Sequence, residues 1–173
     1  MTTLIARLFI AILLALPSAA WADQTGRIVG VIDGDTVDLL TETEVLIRVR
    51  LSGIDAPEKK QPFGNAAKQA LSSLAFNKTV LITGEKRDRY GRLIGKIVVA
   101  GTDVNLRMVQ LGYAWHFKKY EREQPLTDRG LYAQAELAAR VQRAGLWLDK
   151  DAVAPWEFRS ARQSSQPKQV KRE

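Results

Sequence analysis

Hydrophobic and polar residues alternate along several short segments of the chain, a pattern that predicts half-buried β-strands. In residues 45–51 every second side chain is aliphatic, while Arg48 and Arg50 share the opposite face with Leu46. Similar segments follow or precede this one at residues 26–33, 36–40, 79–83 and 93–100. We therefore expect a β-structure of five short strands, with a glycine turn between the first two.

The spacing of apolar residues changes to that of a helix in three places. In residues 63–76 the predicted apolar stripe consists of Ala66, Ala67, Ala70, Leu71, Leu74 and Ala75. A short helix is predicted over residues 106–111, with Asn105 as its N-cap and Gly112 at its end. A third helix is predicted over residues 131–144. Its expected stripe is Leu131, Ala135, Ala138, Val141 and Gly145, the glycine being the C-cap.

The order of these elements predicts an α+β fold with a mainly β core. Three strands, a helix, two more strands and terminal helices fit a small Greek-key barrel closed by about three helices. A five-stranded oligonucleotide-binding barrel is one such fold. Periodicity alone does not distinguish it from other small barrels.

The first 22 residues have the features of a cleavable signal peptide. Arg7 forms a short positive region, residues 8–16 are apolar, and Ala20 and Ala22 are small residues at the positions expected before a cleavage site. An uncleaved membrane anchor is the alternative, but the apolar run is shorter than the roughly 20 residues that span a bilayer. We expect cleavage after Ala22 and a secreted or periplasmic protein.

The other end of the chain has no apolar periodicity. Residues 160–173 are rich in Ser, Gln, Lys and Arg, a composition typical of a disordered tail. The globular domain is therefore expected to cover residues 23–159. We favour a solvated tail over one that adds affinity for nucleic acid.

Composition limits the possible chemistry. The chain has 173 residues, enough for one domain, and its formal net charge of +7 favours a polyanionic partner to a modest degree. It contains no cysteine, which excludes disulfides, thiolate metal sites and thiol nucleophiles.

Charged residues of both signs are concentrated in three motifs. Residues 50–58 read Arg-Leu-Ser-Gly-Ile-Asp-Ala-Pro-Glu, residues 33–36 read Asp-Gly-Asp-Thr, and residues 88–92 read Asp-Arg-Tyr-Gly-Arg. Carboxylates bind hard cations, and guanidinium groups bind phosphate through paired hydrogen bonds. Together these groups point to metal-assisted phosphodiester chemistry.

Each motif also has a purely structural interpretation. Aspartates around a glycine usually stabilise a turn, and this remains our interpretation of Asp33. A glutamate such as Glu58 is usually a surface residue, although Pro57 stiffens the loop that presents it. Arg50 and Arg92 fit solvated strand positions equally well on the pattern alone.

The motifs taken together resemble those of the thermonuclease family, the staphylococcal-nuclease-like secreted nucleases. In chain order the matching segments are residues 32–36, 50–58, 61–64, 88–92, 103–105, 145–147 and 155–159. The resemblance implies a five-stranded oligonucleotide-binding barrel, a Ca²⁺ cofactor, and hydrolysis of DNA and RNA that leaves 3′-phosphate ends.

The resemblance also implies roles for individual residues. Asp35 and Asp55 would bind Ca²⁺ through their side chains, and Ala56 through its carbonyl. The best-known family member has a threonine at the position of Ala56, a change that a backbone ligand tolerates. Glu58 would position or deprotonate the attacking water.

Two arginines are implied as phosphate ligands. Arg50 and Arg92 would contact the scissile phosphate, and Arg92 would also assist the leaving oxygen. No general acid for the leaving group is evident.

Substrate contacts are expected from Arg89 and Tyr90, which would flank the nucleotide pocket, and from Tyr120, which would stack on a base without reading sequence. For Tyr113 and Trp115, packing inside the protein is the favoured interpretation. His116, the single histidine, is expected to be solvated or locally hydrogen-bonded, with no metal or catalytic role.

The leading hypothesis is a monomeric Ca²⁺-dependent endonuclease that acts on DNA and RNA, without a stable protein partner and without a membrane after signal cleavage. A non-catalytic nucleic-acid-binding barrel is the alternative from another class. A sugar- or peptide-binding barrel is a third possibility, which the two phosphate-type arginines make less attractive.

Overall fold

The computed structural model describes residues 23–165 of the chain. The predicted signal peptide, residues 1–22, lies outside this range. The strands are β1 Gln24–Val31, β2 Thr36–Thr41, β3 Leu46–Leu51, β4 Ile54–Asp55, β5 Thr79–Thr83, β6 Leu93–Val99, β7 Thr102–Asp103 and β8 Trp115–His116. The α-helices are α1 Gly64–Ala75, α2 Val104–Gln110, α3 Leu126–Val141 and α4 Pro155–Ser165, and two 3₁₀ helices cover Lys118–Glu123 and Gly145–Leu148.

Five strands close into a barrel, as the sequence predicted. The order is β3-β2-β1-β5-β6, and a parallel pairing of β3 with β6 completes the ring. All other pairings between neighbours in the ring are antiparallel. The short β7 extends β6 as a hairpin, and β4 pairs with β8 in a separate two-stranded sheet at one end. This confirms the α+β class and the oligonucleotide-binding type of barrel.

The hydrophobic core fills the barrel and continues under the helices. On β3, Ile47, Val49 and Leu51 point inward as the alternation predicts, whereas Val45 precedes the strand and is exposed. The predicted stripe of α1 packs on the same core through Ala67 and Leu71. Burial of this apolar surface is the main stabilising contribution to the fold.

The N-cap of α2 differs from the prediction. Asp103, not Asn105, precedes the helix, and its carboxylate accepts a hydrogen bond from the backbone N–H of Leu106. Asn105 is fully buried, and its side chain donates to the carbonyls of Ser52 and Gly95. The cap prediction was wrong because a buried asparagine satisfies distant backbone groups here, which local spacing does not reveal.

The predicted face of α3 was correct at Ala135 and otherwise wrong. The helix begins at Leu126 and buries Tyr132, Ala135, Glu136 and Ala139, whereas Leu131, Ala138 and Val141 are exposed. Polar contacts orient the helix, since the Tyr132 hydroxyl donates to Asp103 and Glu136 accepts from the backbone N–H of His116. The C-cap is Gln142, and Gly145 instead begins a 3₁₀ helix.

Helix α4 extends beyond the predicted domain boundary at residue 159. It continues to Ser165, so residues 160–165 are helical and not part of a disordered tail, while residues 166–173 lie outside the described range. The helix is anchored by Trp156, whose ring lies 5.6 Å from that of Trp115 and 5.5 Å from that of Phe117.

Between residues 23 and 165 no helix is both long enough and apolar enough to cross a bilayer.

Candidate active site

The site is built at the end of the barrel where β2 begins and β3 ends. Register pairs Thr36 with Arg50, and the carbonyl of Asp35 accepts the N–H of Leu51 at 2.8 Å. The backbone is tightly packed at this point. A Cβ on Gly34 would lie only 2.6 Å from the Cβ of Ala56, so the Asp-Gly-Asp turn requires glycine there.

Two buried carboxylates, those of Asp35 and Asp55, lie at this junction. Asp35 Oδ2 accepts the N–H of Ala56 at 2.8 Å, and its other oxygen accepts the Thr36 hydroxyl at 3.1 Å. Asp55 lies on β4, opposite Trp115 of β8, and is completely inaccessible to solvent. A buried carboxylate needs a cation or hydrogen-bond donors nearby to remain ionised.

Arg50 supplies positive charge to both carboxylates. Its Nη1 lies 3.1 Å from Asp35 Oδ2, and its Nη2 lies 2.7 Å from Asp55 Oδ1. The same Nη1 donates to the carbonyls of Leu51 and Ile54 at 3.1 Å each. Arg50 is therefore held between the two carboxylates and does not point into solvent, which the strand pattern left open.

Asp33 caps the turn that carries Asp35. Its Oδ1 accepts the backbone N–H of Asp35 at 3.1 Å, the contact expected of a turn residue. Burial and the nearby negative charge of Asp35 raise the pKa of Asp33 above its ordinary value. These contacts match the structural role expected for Asp33.

Glu58 is presented by a loop whose backbone is fixed from two sides. The side chain of Gln61 accepts the N–H of Glu58 at 3.1 Å and donates to the carbonyl of Val153 at 2.5 Å. Gly64 lies so close that a Cβ there would be 2.1 Å from the carbonyl oxygen of Glu58. Gln61 thus ties the glutamate loop to the segment that leads into α4.

Arg159 is a site residue that the sequence analysis did not assign. Its Nη1 lies 2.7 Å from Glu58 Oε1, and its Nη2 lies 2.8 Å from Asp55 Oδ2. Burial alone lowers the pKa of Arg159, but hydrogen bonds to Asp55 and Glu58 raise it above its ordinary value. The segment around Arg159 was part of the resemblance. However, Glu58 and Asp55 lie 101 and 104 residues earlier in the chain, and no local sequence pattern predicts contacts over such separations.

A second arginine cluster lies on the connection before β6. Arg92 Nε donates to Asp88 Oδ2 at 2.7 Å, and the Arg89 guanidinium lies 4.8 Å from the centre of the exposed Tyr90 ring. Burial of Asp88 opposes its ionisation, but the bonds from Arg92 and from the backbone outweigh this and lower its pKa. Arg92 precedes Leu93, which pairs with Val49, and this register brings the cluster to the Arg50 end of the barrel.

An open cavity of about 1680 Å³ joins these groups. It is lined by all nine residues predicted for the site, namely Asp35, Arg50, Asp55, Ala56, Glu58, Arg89, Tyr90, Arg92 and Tyr120. Tyr120 is 53% exposed, with the Phe117 ring 5.6 Å away. Tyr120 is therefore accessible for stacking.

The neighbouring aromatic residues and the histidine have packing roles. Trp115 is buried against Trp147, with 4.3 Å between ring centres, and Tyr113 packs on the core, as favoured from the sequence. His116 is buried, and its Nε2 lies 3.0 Å from Gln124 Oε1. It is thus locally hydrogen-bonded, and the solvated alternative was wrong.

The donor set fits a hard cation held by few protein ligands. Asp35 and Asp55 provide carboxylate oxygens on adjoining segments, and the Ala56 backbone contacts Asp35 directly. Within the described residues no group of three or more carboxylates or histidines could hold a metal ion. A cation bound here would therefore complete its shell with backbone oxygen and water, as Ca²⁺ does readily.

Comparison with known proteins is consistent with this geometry. Residues 48–149 match the family described as staphylococcal nuclease homologue. The chain is 42% identical over 160 residues to a protein named micrococcal nuclease from Shigella flexneri, covering 87% of this chain and 89% of that protein. It is also 41% identical over 155 residues to Protein ParB of Escherichia coli, covering 84% and 85% of the two chains.

A third relative has a similar identity over a somewhat shorter alignment. A protein named as an uncharacterized endonuclease from Escherichia coli O157:H7 is 42% identical over 139 residues, 80% of this chain and 86% of that protein. The family match includes Arg50, Asp55, Glu58 and Arg92 but begins after Asp35. It ends before Arg159.

Proposed function

Because this chain belongs to the staphylococcal nuclease homologue family and is a nuclease of that type, we propose that it is a Ca²⁺-dependent endonuclease. Its substrates are the phosphodiester bonds of DNA and RNA. The products carry 3′-phosphate ends. One observation carries the proposal: a single cavity is lined by the buried Asp35 and Asp55 carboxylates, by Glu58, and by two arginines, Arg50 and Arg92.

Asp35, Asp55 and the carbonyl of Ala56 would hold the cation. Ca²⁺ bound there would polarise a phosphoryl oxygen and make a neighbouring water more acidic. Both aspartates are buried, which supports this role, because bulk water does not screen their attraction to a cation.

The protein's own side chains carry out the proton transfer and bind the phosphate. Glu58 accepts a proton from the attacking water, and Gln61 holds its loop in place by accepting the Glu58 N–H and donating to the Val153 carbonyl. Arg50 and Arg92 donate paired hydrogen bonds to the phosphoryl oxygens and remain charged as negative charge accumulates there. Arg92 also assists the leaving 5′ oxygen. We assign no general acid to protonate that oxygen.

Substrate strands bind across the cavity mouth. Arg89 and Tyr90 line the cavity, and Tyr120 offers an exposed ring on which a base can stack. Stacking and phosphate contacts do not read sequence, so cleavage is expected on many sequences and on single strands.

The protein is exported and acts as a monomer. The features of residues 1–22 support cleavage after Ala22 and a secreted or periplasmic location. The chain contains no cysteine, so its fold does not depend on disulfide formation in that compartment.

The proposal is tested by digestion of plasmid, single-stranded DNA and RNA with the purified protein, in Ca²⁺ and in a calcium chelator. We expect cleavage of all three substrates in Ca²⁺ and none in chelator, with 3′-phosphate ends on the products. Cleavage that persists in chelator would contradict the cation requirement. Tight binding without cleavage in Ca²⁺ would support the non-catalytic binding module instead.

A further inference from the structure

Arg159 occupies a carboxylate oxygen that a bound cation would need. Asp55 Oδ1 contacts both Arg50 Nη2 at 2.7 Å and Arg159 Nη1 at 3.2 Å. Asp55 Oδ2 accepts from Arg159 Nη2 at 2.8 Å. A cation that binds Asp55 must therefore displace a guanidinium or share an oxygen with one.

The two guanidinium groups differ in how firmly they are held. The Arg50 side chain is 16% exposed and also donates to two backbone carbonyls. The Arg159 side chain is 42% exposed, and within residues 23–165 it donates hydrogen bonds to Asp55 and Glu58 and to no backbone carbonyl. Arg159 is therefore the group that can move into solvent without disturbing the barrel.

The position of Arg159 depends on α4 and not on the barrel. Trp156, one turn earlier, packs between Trp115 and Phe117, and Gln61 bonds the carbonyl of Val153 just before the helix. The helix can therefore stay docked while the long Arg159 side chain changes rotamer. Release of the side chain would leave Glu58 free to contact water.

We propose that Arg159 is a built-in counter-ion that occupies the cation site in the cation-free protein and competes with Ca²⁺ for Asp55. This inference rests on the proposed Ca²⁺ dependence. Asp55 already pairs with both Arg50 and Arg159, so a cation would be a third positive group on one buried carboxylate and would be repelled by both guanidiniums. Cation binding is therefore coupled to departure of the less firmly held guanidinium, that of Arg159. Arg159 keeps the carboxylates compensated before the cation arrives and lowers the apparent Ca²⁺ affinity.

The test is Ca²⁺ titration by calorimetry of the wild type, Arg159→Gln and Arg162→Gln. Arg162→Gln is the matched control because it removes the same charge from the same helix. The Arg162 guanidinium contacts the ring of Phe158, outside the carboxylate cluster. We expect Arg159→Gln to bind Ca²⁺ about tenfold tighter or more, and Arg162→Gln to match the wild type within about twofold.

Three outcomes overturn the inference. Unchanged or weaker Ca²⁺ binding by Arg159→Gln, beside a wild type that binds, would show that Arg159 does not compete. Equal tightening by Arg162→Gln would reduce the effect to overall charge. Absence of Ca²⁺ binding in all three proteins would reject the proposed Ca²⁺ dependence itself, together with the competition that rests on it.

A readout on the wild type covers the case in which Arg159→Gln does not fold. The guanidinium Nε–H resonance of Arg159 is assigned by its loss in Arg159→Lys, which retains the charge. We expect this resonance to move toward the position of a solvated arginine as Ca²⁺ is added. A resonance that stays unchanged at saturating Ca²⁺ would contradict displacement.

Discussion

Arg50 Nη2 lies 2.7 Å from Asp55 Oδ1, and the Asp55 carboxylate has no contact with solvent. The group proposed to bind phosphate and the group proposed to bind the cation are therefore partners before either ligand arrives. Such pairing fixes both side chains in position, which lowers the ordering cost on substrate binding. It also means that substitutions at one residue affect the other.

Lysine at either phosphate-binding position should retain charge and lose function. We expect Arg50→Lys and Arg92→Lys each to reduce kcat about tenfold or more, because a single ammonium cannot donate two parallel hydrogen bonds. Arg48→Lys is the matched control, since Arg48 lies on the same face of β3 but pairs with Asp38. Steady-state kinetics on plasmid measure the effect. Near-normal kcat in folded Arg50→Lys would refute its phosphate role.

Removal of the Glu58 charge should affect the reaction more than binding. Glu58→Gln can still accept a hydrogen bond from Arg159 but cannot take a proton from water. We expect kcat to fall about 100-fold or more while Ca²⁺ affinity changes little. Glu157→Gln, an exposed position on α4, should retain wild-type kcat. Equal kcat for the two variants would mean that Glu58 does not act on the water.

Loss of the Tyr120 ring should weaken substrate binding. Tyr120→Ala is expected to raise KM for single-stranded DNA about tenfold with little change in kcat, since one stacked base contributes about 1–3 kcal/mol. Tyr120→Phe retains the stacking face and should resemble the wild type. If Tyr120→Phe shows the same rise in KM, the hydroxyl and not stacking accounts for the contact.

The Asp88–Arg92 pair should make stability depend on pH in acid. The pKa of Asp88 is lowered from its ordinary value of 3.8, so its contribution is present above that value and is lost as the pH falls through the folded-state pKa. Asp88→Asn should unfold more readily than the wild type at pH 7, by about 1 kcal/mol from its lost hydrogen bonds.

Urea unfolding at several pH values checks this prediction. The difference between wild type and Asp88→Asn should shrink as the pH falls from about 5 to below about 3. Asp151→Asn, at an exposed position, should show no comparable difference at any pH. A difference that grows toward acid pH would contradict the sign.

Local patterns determined most of the barrel. Alternation identified the five strands because each has one face in the core, and inward side chains of β3 such as Val49 follow it directly. The stripe of α1 was predictable for the same reason. The face of α3 was not, because Tyr132 and Glu136 are buried through bonds to Asp103 and His116, residues far away in the sequence.

The sequence by itself determined which chemical groups are available: carboxylates on the Asp-Gly-Asp turn and in residues 50–58, and arginines at Arg50 and Arg92. Only the tertiary structure decided their partners. Strand register places Arg50 between Asp35 and Asp55, and the docking of α4 brings Arg159 onto Asp55. Hydrogen bonds and charge pairing act over a few ångströms in space, and the chain reaches those distances only by folding.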